Sequence, residues 1–382
     1  MTLRASIRNQ QLTETASISN RIDSAILWIT VGTLFTVPLI FAFADFIAVF
    51  SELKLVTLHL GAGLIAILWL WQIAINKINA PYTSKPSGFD VLRWAAKAPA
   101  HWLLIAVALW LIAQVISTIL SPLPIISLLG ADDSRSGYNL YDNISLFVIF
   151  AVVAGRFRTE RRLRLIILTL ISSGTIAAAY SIPQHFGWDP IGGSEAPSRV
   201  WSSFGNPINF GSYMVMTIPA TLAMALPKRE RKYLWLGILA AAVGLQLSGL
   251  WFSGSRGPYI AFVTGLISFG IISIWIGQFK AIASSGITLI GGLVIAIIII
   301  TIPSPQNDTG FSRILDIGDQ IVGFSDEELD NKGGLDARFD IWGTTLQTAT
   351  RWDTPRDESS LSSMLRPVFG LGPDMFVYSY PL

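Results

Sequence analysis

The sequence predicts an all-α, polytopic integral membrane protein with about nine transmembrane helices and a large outer-face loop. Of its 382 residues, 52% are hydrophobic and only 14% are charged, whereas soluble domains carry about 25% charged residues. The apolar residues are gathered into runs of roughly twenty, the length that crosses a hydrocarbon layer about 30 Å thick. Runs such as 287–302 are apolar on every side, unlike the alternating strands of a membrane barrel.

Nine apolar runs are interpreted as membrane spans. They cover residues 25–44, 55–75, 101–120, 140–155, 163–182, 208–226, 233–252, 258–276 and 281–302. The first run is longer than the core of a signal peptide, so we interpret it as a retained helix. The chain then divides into a cytoplasmic N-terminal tail (1–24), a transmembrane helical domain (25–302) and an extracytoplasmic loop (303–382) that is polar and acidic.

The distribution of charge between the two sides predicts the orientation. With the N-terminus inside, the cytoplasmic segments hold 17 Lys and Arg residues against five acids, and the outer segments hold ten against twenty. An excess of basic residues marks the cytoplasmic side of a membrane protein. We therefore expect a multi-pass protein of the inner (cytoplasmic) membrane in contact with lipids. The basic clusters at 156–164 and 228–232 are interpreted as topology signals, and no nucleic acid is expected as a partner.

Several kinds of chemistry are excluded or disfavoured by what the sequence lacks. There is no cysteine, which excludes disulfides, thiolate nucleophiles and cysteine metal sites. No glycine-rich phosphate-binding loop of the nucleotide-binding type occurs, which disfavours nucleotide-driven transport. The three histidines share no spacing typical of a metal site. We therefore predict neither a metal nor another cofactor.

Four arginines on the predicted outer side are the first candidates for a functional site. Placing an arginine at the centre of a bilayer costs about 2.5–3.5 kcal/mol of insertion free energy. An arginine near the membrane therefore marks a paired structural charge or an anionic ligand. Its planar guanidinium suits phosphate oxygens. The structural alternative is a separate salt bridge from each arginine to a nearby aspartate. The four are Arg135, Arg199, Arg256 and Arg338.

Two helix-breaking segments strengthen the case for an anion site. The residues Gly205-Asn206-Pro207 precede the sixth predicted span, and Ser255-Arg256-Gly257-Pro258 precede the eighth. Small and amide residues at such positions expose the backbone N–H groups of a helix N-terminus, which favour anions. We therefore expect the two helix N-termini and the four arginines to meet at one cavity on the outer face.

These motifs, taken in order on the predicted outer side, resemble those of the O-antigen ligase and O-antigen polymerase superfamily. The resemblance covers roughly residues 121–382. It depends on five short motifs: Gly130…Arg135-x-Gly137, Arg199…Phe204-Gly-Asn-Pro-x-x-Phe-Gly211, Ser255-Arg256-Gly257, Arg338-x-x-x-Trp342 and Gly370-Leu-Gly372.

The resemblance implies a metal-independent transfer of a glycan from a polyprenyl-diphosphate donor to an acceptor glycan or glycolipid outside the cytoplasmic membrane. It implies that Arg256 and Arg338 are catalytic. Fixed cations placed where charge develops on the leaving diphosphate would lower the barrier without a metal. The expected substrate-binding residues are Arg135, Arg199, Asn206, Asn209, Ser255 and Trp342.

One feature of the superfamily has no counterpart in this chain. The resemblance implies a histidine after the Gly-x-Gly stretch as the base for the acceptor hydroxyl, but the sequence has no histidine after His185 and ends at Leu382. We therefore expect an incomplete outer loop. Two alternatives stay open: a transporter of a lipid-linked or anionic sugar, and a non-catalytic membrane subunit. The sequence does not distinguish a ligase from a polymerase.

Overall fold

A computed structural model describes most of the chain. The described residues are 2–41, 49–79, 99–130, 138–189, 199–225, 232–303, 342–346, 364–365, 368–373 and 375. Within these ranges most residues are helical and no β-strand occurs. The prediction of an all-α fold is confirmed for this part of the chain.

The principal helices are α1 (Thr2–Thr36), α2 (Val49–Asn79), α3 (Pro99–Ile119), α4 (Pro124–Leu129), α5 (Leu140–Arg156), α6 (Glu160–His185), α7 (Pro207–Ala223), α8 (Lys232–Phe252), α9 (Arg256–Trp275) and α10 (Phe279–Ile300). A 3₁₀ turn, Ser202–Phe204, precedes α7. Within the described ranges, each of the nine predicted runs lies mainly on one of these helices. The short helix α4 has no counterpart among the predicted runs.

Among the described residues, six helices are long and apolar enough to cross a membrane. Their apolar stretches are Glu52–Asn76, His101–Ile119, Glu160–His185, Tyr233–Phe252, Arg256–Trp275 and Ile282–Ile300. The other three predicted runs fall on α1, α5 and α7, of which α5 and α7 have 17 residues each. The described part of the chain is therefore a helical, multi-pass membrane protein.

Local sequence explains where the helices of the functional region begin and end. Asn206 is the N-cap of α7, and its Oδ1 accepts a hydrogen bond from the backbone N–H of Ile208 at 2.8 Å. Pro207 occupies the first helical position, where the backbone N–H that proline lacks would have no partner within the helix. Helix α6 ends at His185 in a Schellman motif, in which Gly187, just past the C-cap, has φ +75°. Trp188 N–H donates to the carbonyl of Pro183 at 2.9 Å, as this motif requires.

The helices form two compact units, which we describe separately. The first unit comprises Met1–Thr30, Leu58–Arg156 and Asp326–Leu382, and the second comprises Val31–Thr57 and Phe157–Ser325. Helices α1 and α2 each contribute residues to both units.

Helix α8 is the centre of the second unit and packs against α6, α7 and α10. The core around it includes Phe210, Met214 and Ile218 of α7 and Val243 of α8, all fully buried. Side-chain hydrogen bonds also join these helices. Gln246 of α8 is fully buried; its Oε1 accepts from Thr221 at 3.1 Å and its Nε2 donates to Oγ1 of Thr175 at 3.0 Å. Such bonds are typical of helices that pack within a membrane.

In the first unit, the polar part of α1 is tied to α2 and α5. The Arg156 guanidinium forms an ion pair with Asp23 and donates to Oε1 of Gln72 at 2.6 Å. The amide of Gln72 in turn donates to Oγ of Ser19 at 3.1 Å. Residues 2–24, predicted as a cytoplasmic tail, belong to helix α1, and only one face of the last two turns before Ala25 is packed.

Candidate functional site

The candidate site lies at one end of the second unit, where α6 and α8 end and α7 and α9 begin. Gly211 in the first turns of α7 lies against the start of α9, so that a Cβ added to it would be 2.9 Å from Oγ of Ser253 and 3.0 Å from the Pro258 ring. The ring of His185, at the end of α6, is stacked on that of Phe252, at the end of α8, with centroids 3.8 Å apart. The structure therefore brings together the two helix N-termini that the sequence singled out.

Arg199 is half-buried at this end and holds the turn between α8 and α9. Its Nε donates to the carbonyl of Ser253 at 3.3 Å, and a terminal guanidinium nitrogen donates to Oγ of Ser255 at 2.7 Å. The next residue, Val200, donates its N–H to the carbonyl of Phe252 at 2.9 Å. The segment 199–200 is thus anchored to the end of α8 and the start of α9.

Ser255 occupies the N-cap position of α9 without capping the helix. Its hydroxyl, 2% exposed, donates to the Ser253 carbonyl at 3.1 Å and accepts the bond from Arg199. No side-chain cap is formed at α9, and Arg256 and Gly257 at the first two helical positions are exposed. The N-terminal turn of α9 therefore presents backbone donors and an exposed guanidinium on the same short segment.

The segment between Arg199 and α7 is fixed by hydrogen bonds on both sides of an unusual turn. Ser202 has φ +51°, which is costly for a residue with a side chain. Its N–H donates to Oε1 of Gln184 at 2.7 Å, and its hydroxyl donates to the carbonyl of Ala177 at 2.7 Å. The next hydroxyl, Ser203 Oγ, donates to the carbonyl of Pro38 at 2.7 Å. These bonds compensate the strained turn and set the position at which α7 begins.

A network at the end of α6 supports this turn, and the sequence analysis did not identify it. The Tyr180 hydroxyl donates to Oδ1 of Asp189 at 2.5 Å, and the amide of Gln184 donates to Oδ2 of the same carboxylate at 3.0 Å. Gln184 is 1% exposed and also receives the N–H of Ser202. The spacing of Tyr180 and Gln184 on one face of a helix, followed by an acid past its end, is the signal that predicts such a network.

Lys54 is another basic residue of the second unit, and the sequence analysis did not identify it. Its Nζ donates to the carbonyls of Val37, Pro38 and Ile40 at 3.0, 3.2 and 2.9 Å. It also lies 5.2 Å from the centroid of the Phe204 ring. Three carbonyl acceptors and an aromatic face occupy the ammonium group, so Lys54 acts as a cap for the C-terminal end of α1.

The remaining predicted site residues are placed as follows. Asn206 is exposed and caps α7, and Asn209 is exposed one turn later. Trp342 belongs to the first unit, where it begins a short helical segment, 342–346, with 59% of its side chain exposed. Arg135 and Arg338 lie outside the described residues, so the expected meeting of four arginines stays a prediction.

The first unit holds a buried acid that the sequence analysis did not use. Asp142 of α5, 1% exposed, accepts a hydrogen bond from the Asn139 amide at 2.7 Å and lies 2.6 Å from Nε2 of His59. The His59 ring also contacts that of Tyr141, with centroids 4.0 Å apart. The described residues contain no group of three or more His, Asp or Glu side chains that could hold a metal ion.

Gly372, part of the motif Gly370-Leu-Gly372, lies against α4 and the turn that precedes it. It has φ +111°, and a Cβ at this position would collide with the hydroxyls of Ser121 and Ser127. Close by, Ser117 donates to the carbonyl of Phe369 at 2.5 Å. The close contact and the positive φ explain why glycine occupies position 372.

Comparison with known proteins adds no identification. No protein family matches the chain, and neither a curated protein nor a solved structure matches it.

Proposed function

We propose that this protein transfers a glycan from a polyprenyl-diphosphate donor to an acceptor glycan or glycolipid at the outer face of the cytoplasmic membrane. One observation supports this proposal above all. Arg199 holds Ser255 at the uncapped start of α9, and Arg256 is exposed in the next position. Two guanidinium groups close to a helix N-terminus suit the diphosphate of such a donor.

In the proposed reaction, most of the negative charge develops on the leaving diphosphate. The acceptor hydroxyl oxygen forms a bond to the anomeric carbon, and the bond from that carbon to the diphosphate oxygen breaks. The electron pair stays on the diphosphate, and the hydroxyl proton passes to a base. Fixed cations and backbone donors at the diphosphate stabilise the charge that develops there, without a metal.

The roles within the site differ between the arginines. We assign contact with the diphosphate to Arg256, because it is exposed at the first position of α9. Arg199 acts on the substrate through the Ser255 turn that it holds, in addition to any direct contact. The hypothesis also includes Arg338 as a second catalytic residue. The further proposed binding residues are Arg135, Asn206, Asn209 and Trp342.

The membrane orientation is part of the proposal. Nine spans with a cytoplasmic N-terminus place the starts of α7 and α9 on the outer side. The six long apolar helices and the excess of basic residues in alternate loops support this arrangement. In this arrangement, donor and acceptor reach the site from the outer leaflet.

Binding of a diphosphate lipid to the purified chain in lipid nanodiscs tests the proposal. We expect undecaprenyl diphosphate to bind with higher affinity than the monophosphate, and Arg256→Gln to lower that affinity about tenfold or more, as loss of a charge-assisted contact does. The matched control is Arg158→Gln, which removes another exposed arginine from the same unit. Equal affinities for diphosphate and monophosphate, or equal losses in the two variants, would contradict the proposal.

Turnover distinguishes the enzyme from a subunit. An undecaprenyl-diphosphate-linked sugar supplied with a panel of acceptor glycans should yield free undecaprenyl diphosphate in an acceptor-dependent reaction. Tight binding without any turnover would favour the non-catalytic membrane subunit.

A transporter is the second candidate, and one observation favours it. The contact between half-buried His59 and buried Asp142 joins two helices of the first unit, and ionisable groups inside membrane segments often mark a transport route. Uptake of a lipid-linked or anionic sugar into proteoliposomes tests this candidate. Uptake that is lost in Asp142→Asn and retained in Arg256→Gln would favour the transporter over the transferase.

A further inference from the structure

A groove on the first unit has a composition that neither the fold nor the proposed function explains. Its described lining residues lie along one face of α1, and its volume is about 620 Å³. They recur three or four positions apart, which is the spacing of neighbours on a helix surface. Apart from one alanine they are polar, and no acid is among them. The described lining residues are Ala16, Ser17, Asn20, Arg21 and Ser24.

The other side of α1 at this level is already occupied. Asp23 forms the ion pair with Arg156, and Ser19 accepts two hydrogen bonds from Gln72. The nearest carboxylate along the helix is therefore engaged elsewhere. Arg21 is exposed, and no hydrogen bond or ion pair within the described ranges involves its guanidinium. The groove thus carries one positive charge that the described protein does not neutralise.

The groove lies beside the apolar part of α1. Trp28 follows Arg21 by seven residues on the same helix face, about 10 Å along the axis, and its side chain is 62% exposed. Exposed tryptophans of membrane helices favour the level of the lipid headgroups. A ligand of this groove therefore meets a cationic polar surface at one end and an aromatic, apolar surface at the other.

We propose that this groove binds an anionic glycerophospholipid with a hydroxyl-bearing headgroup. The Arg21 guanidinium contacts the phosphate oxygens, and the Ser17 hydroxyl and Asn20 amide donate further hydrogen bonds. Ser24 donates its own proton to the Asn20 carbonyl at 3.0 Å, so it has only acceptor capacity left, which suits a headgroup hydroxyl. An acyl chain then passes along α1 beside Trp28. The absence of an acid among the described lining residues disfavours a headgroup with an ammonium.

Lipid binding to the purified full chain tests this site independently of glycan transfer. The chain is prepared in detergent, and phosphatidylglycerol, phosphatidylcholine or inorganic phosphate is titrated while bound lipid is counted by native mass spectrometry. We expect selective retention of phosphatidylglycerol and an affinity about fivefold lower in Arg21→Gln, as loss of one charge near an anionic lipid predicts. Arg21→Lys should retain part of the affinity, because it keeps the charge and loses the planar fork.

The control and the contradicting outcomes are specific to the groove. Arg158→Gln removes an exposed arginine outside the groove and should leave lipid retention unchanged, and the thermal midpoint of each variant shows whether it folds. Equal retention in Arg21→Gln and Arg158→Gln would overturn the site. Binding of inorganic phosphate that displaces the lipid would identify a site for soluble anions and overturn the lipid as its occupant.

Discussion

Gly292 of α10 and Val243 of α8 lie so close that a Cβ added to the glycine would be 2.5 Å from Cγ1 of the valine. On the facing helix, a Cβ at Gly244 would lie 2.6 Å from Cγ2 of Ile295. Glycine on one helix thus faces a β-branched side chain on the other, twice in succession. Small residues at such positions allow the backbones of membrane helices to approach closely.

The close approach of α8 and α10 predicts that adding one methyl group at Gly292 lowers the stability of the protein. Gly292→Ala should destabilise the second unit by about 1–3 kcal/mol, the usual cost of overpacking. Gly286→Ala is the matched control, because it lies on the same helix with nothing within 4 Å of the added Cβ. Thermal unfolding in detergent, followed by tryptophan fluorescence, measures both variants. Equal midpoints in the two variants would show that α8 and α10 do not approach as closely as described.

The extent to which the fold was predictable follows from the length of each segment. Within the described ranges, the nine predicted runs lie mainly on helices, because only a helix satisfies the backbone of such a run in lipid. Helix α4, with six residues (Pro124–Leu129), is too short to show a period. The helical conformation of residues 2–24 could not be predicted from the sequence either, because a polar helix without an apolar face gives no hydrophobic periodicity. The pairing of Gly292 with Val243 depends on which helices become neighbours.

The contacts of Arg199 predict a stabilising role that is separable from its charge. Arg199→Gln should destabilise the protein by about 1–3 kcal/mol, because the carbonyl of Ser253 and the hydroxyl of Ser255 lose charge-assisted donors. Arg199→Lys keeps the charge but not the fork, and should recover only part of the loss. The measurement is the thermal midpoint in detergent. A midpoint unchanged in Arg199→Gln would contradict the bracing role of this residue.

The candidate site was predictable in part. The helix breaks at Asn206 and Ser255 can be predicted from the sequence. The structure shows that the helices that follow them, α7 and α9, begin close together. The bond between Arg199 and Ser255 was not predictable, since 56 positions separate them and either could pair elsewhere. Lys54 and Asp142 were missed for another reason: each lies at the end of an apolar run, where a charge is normally read as a boundary. Only the three-dimensional structure shows that Lys54 is bound by carbonyls beyond the end of α1 and that Asp142 is bound by Asn139 and His59.

The ion pair between Arg156 and Asp23 should couple α1 to α5 more strongly than a surface pair would. The two side chains are 15% and 24% exposed. A double-mutant cycle with Arg156→Gln and Asp23→Asn should therefore give a coupling energy of about 1–3 kcal/mol. The control cycle is Arg164 and Glu160, an exposed pair on α6 at 3.5 Å, for which about 0.3–0.5 kcal/mol is expected. Comparable coupling in the two cycles would contradict a special role for Arg156.

The proposed orientation predicts which cysteines a membrane-impermeant reagent can label. The chain contains no cysteine, so single substitutions give an unambiguous signal without a modified background. Trp188→Cys follows α6 at a site that is 72% exposed, and Gln278→Cys lies in the exposed turn between α9 and α10. With a cytoplasmic N-terminus, a maleimide added to intact cells should label position 188 at once and position 278 only after the membrane is permeabilised. The reverse result would invert the orientation, move the starts of α7 and α9 to the cytoplasmic side, and thereby remove the outer-leaflet donor from the proposed reaction.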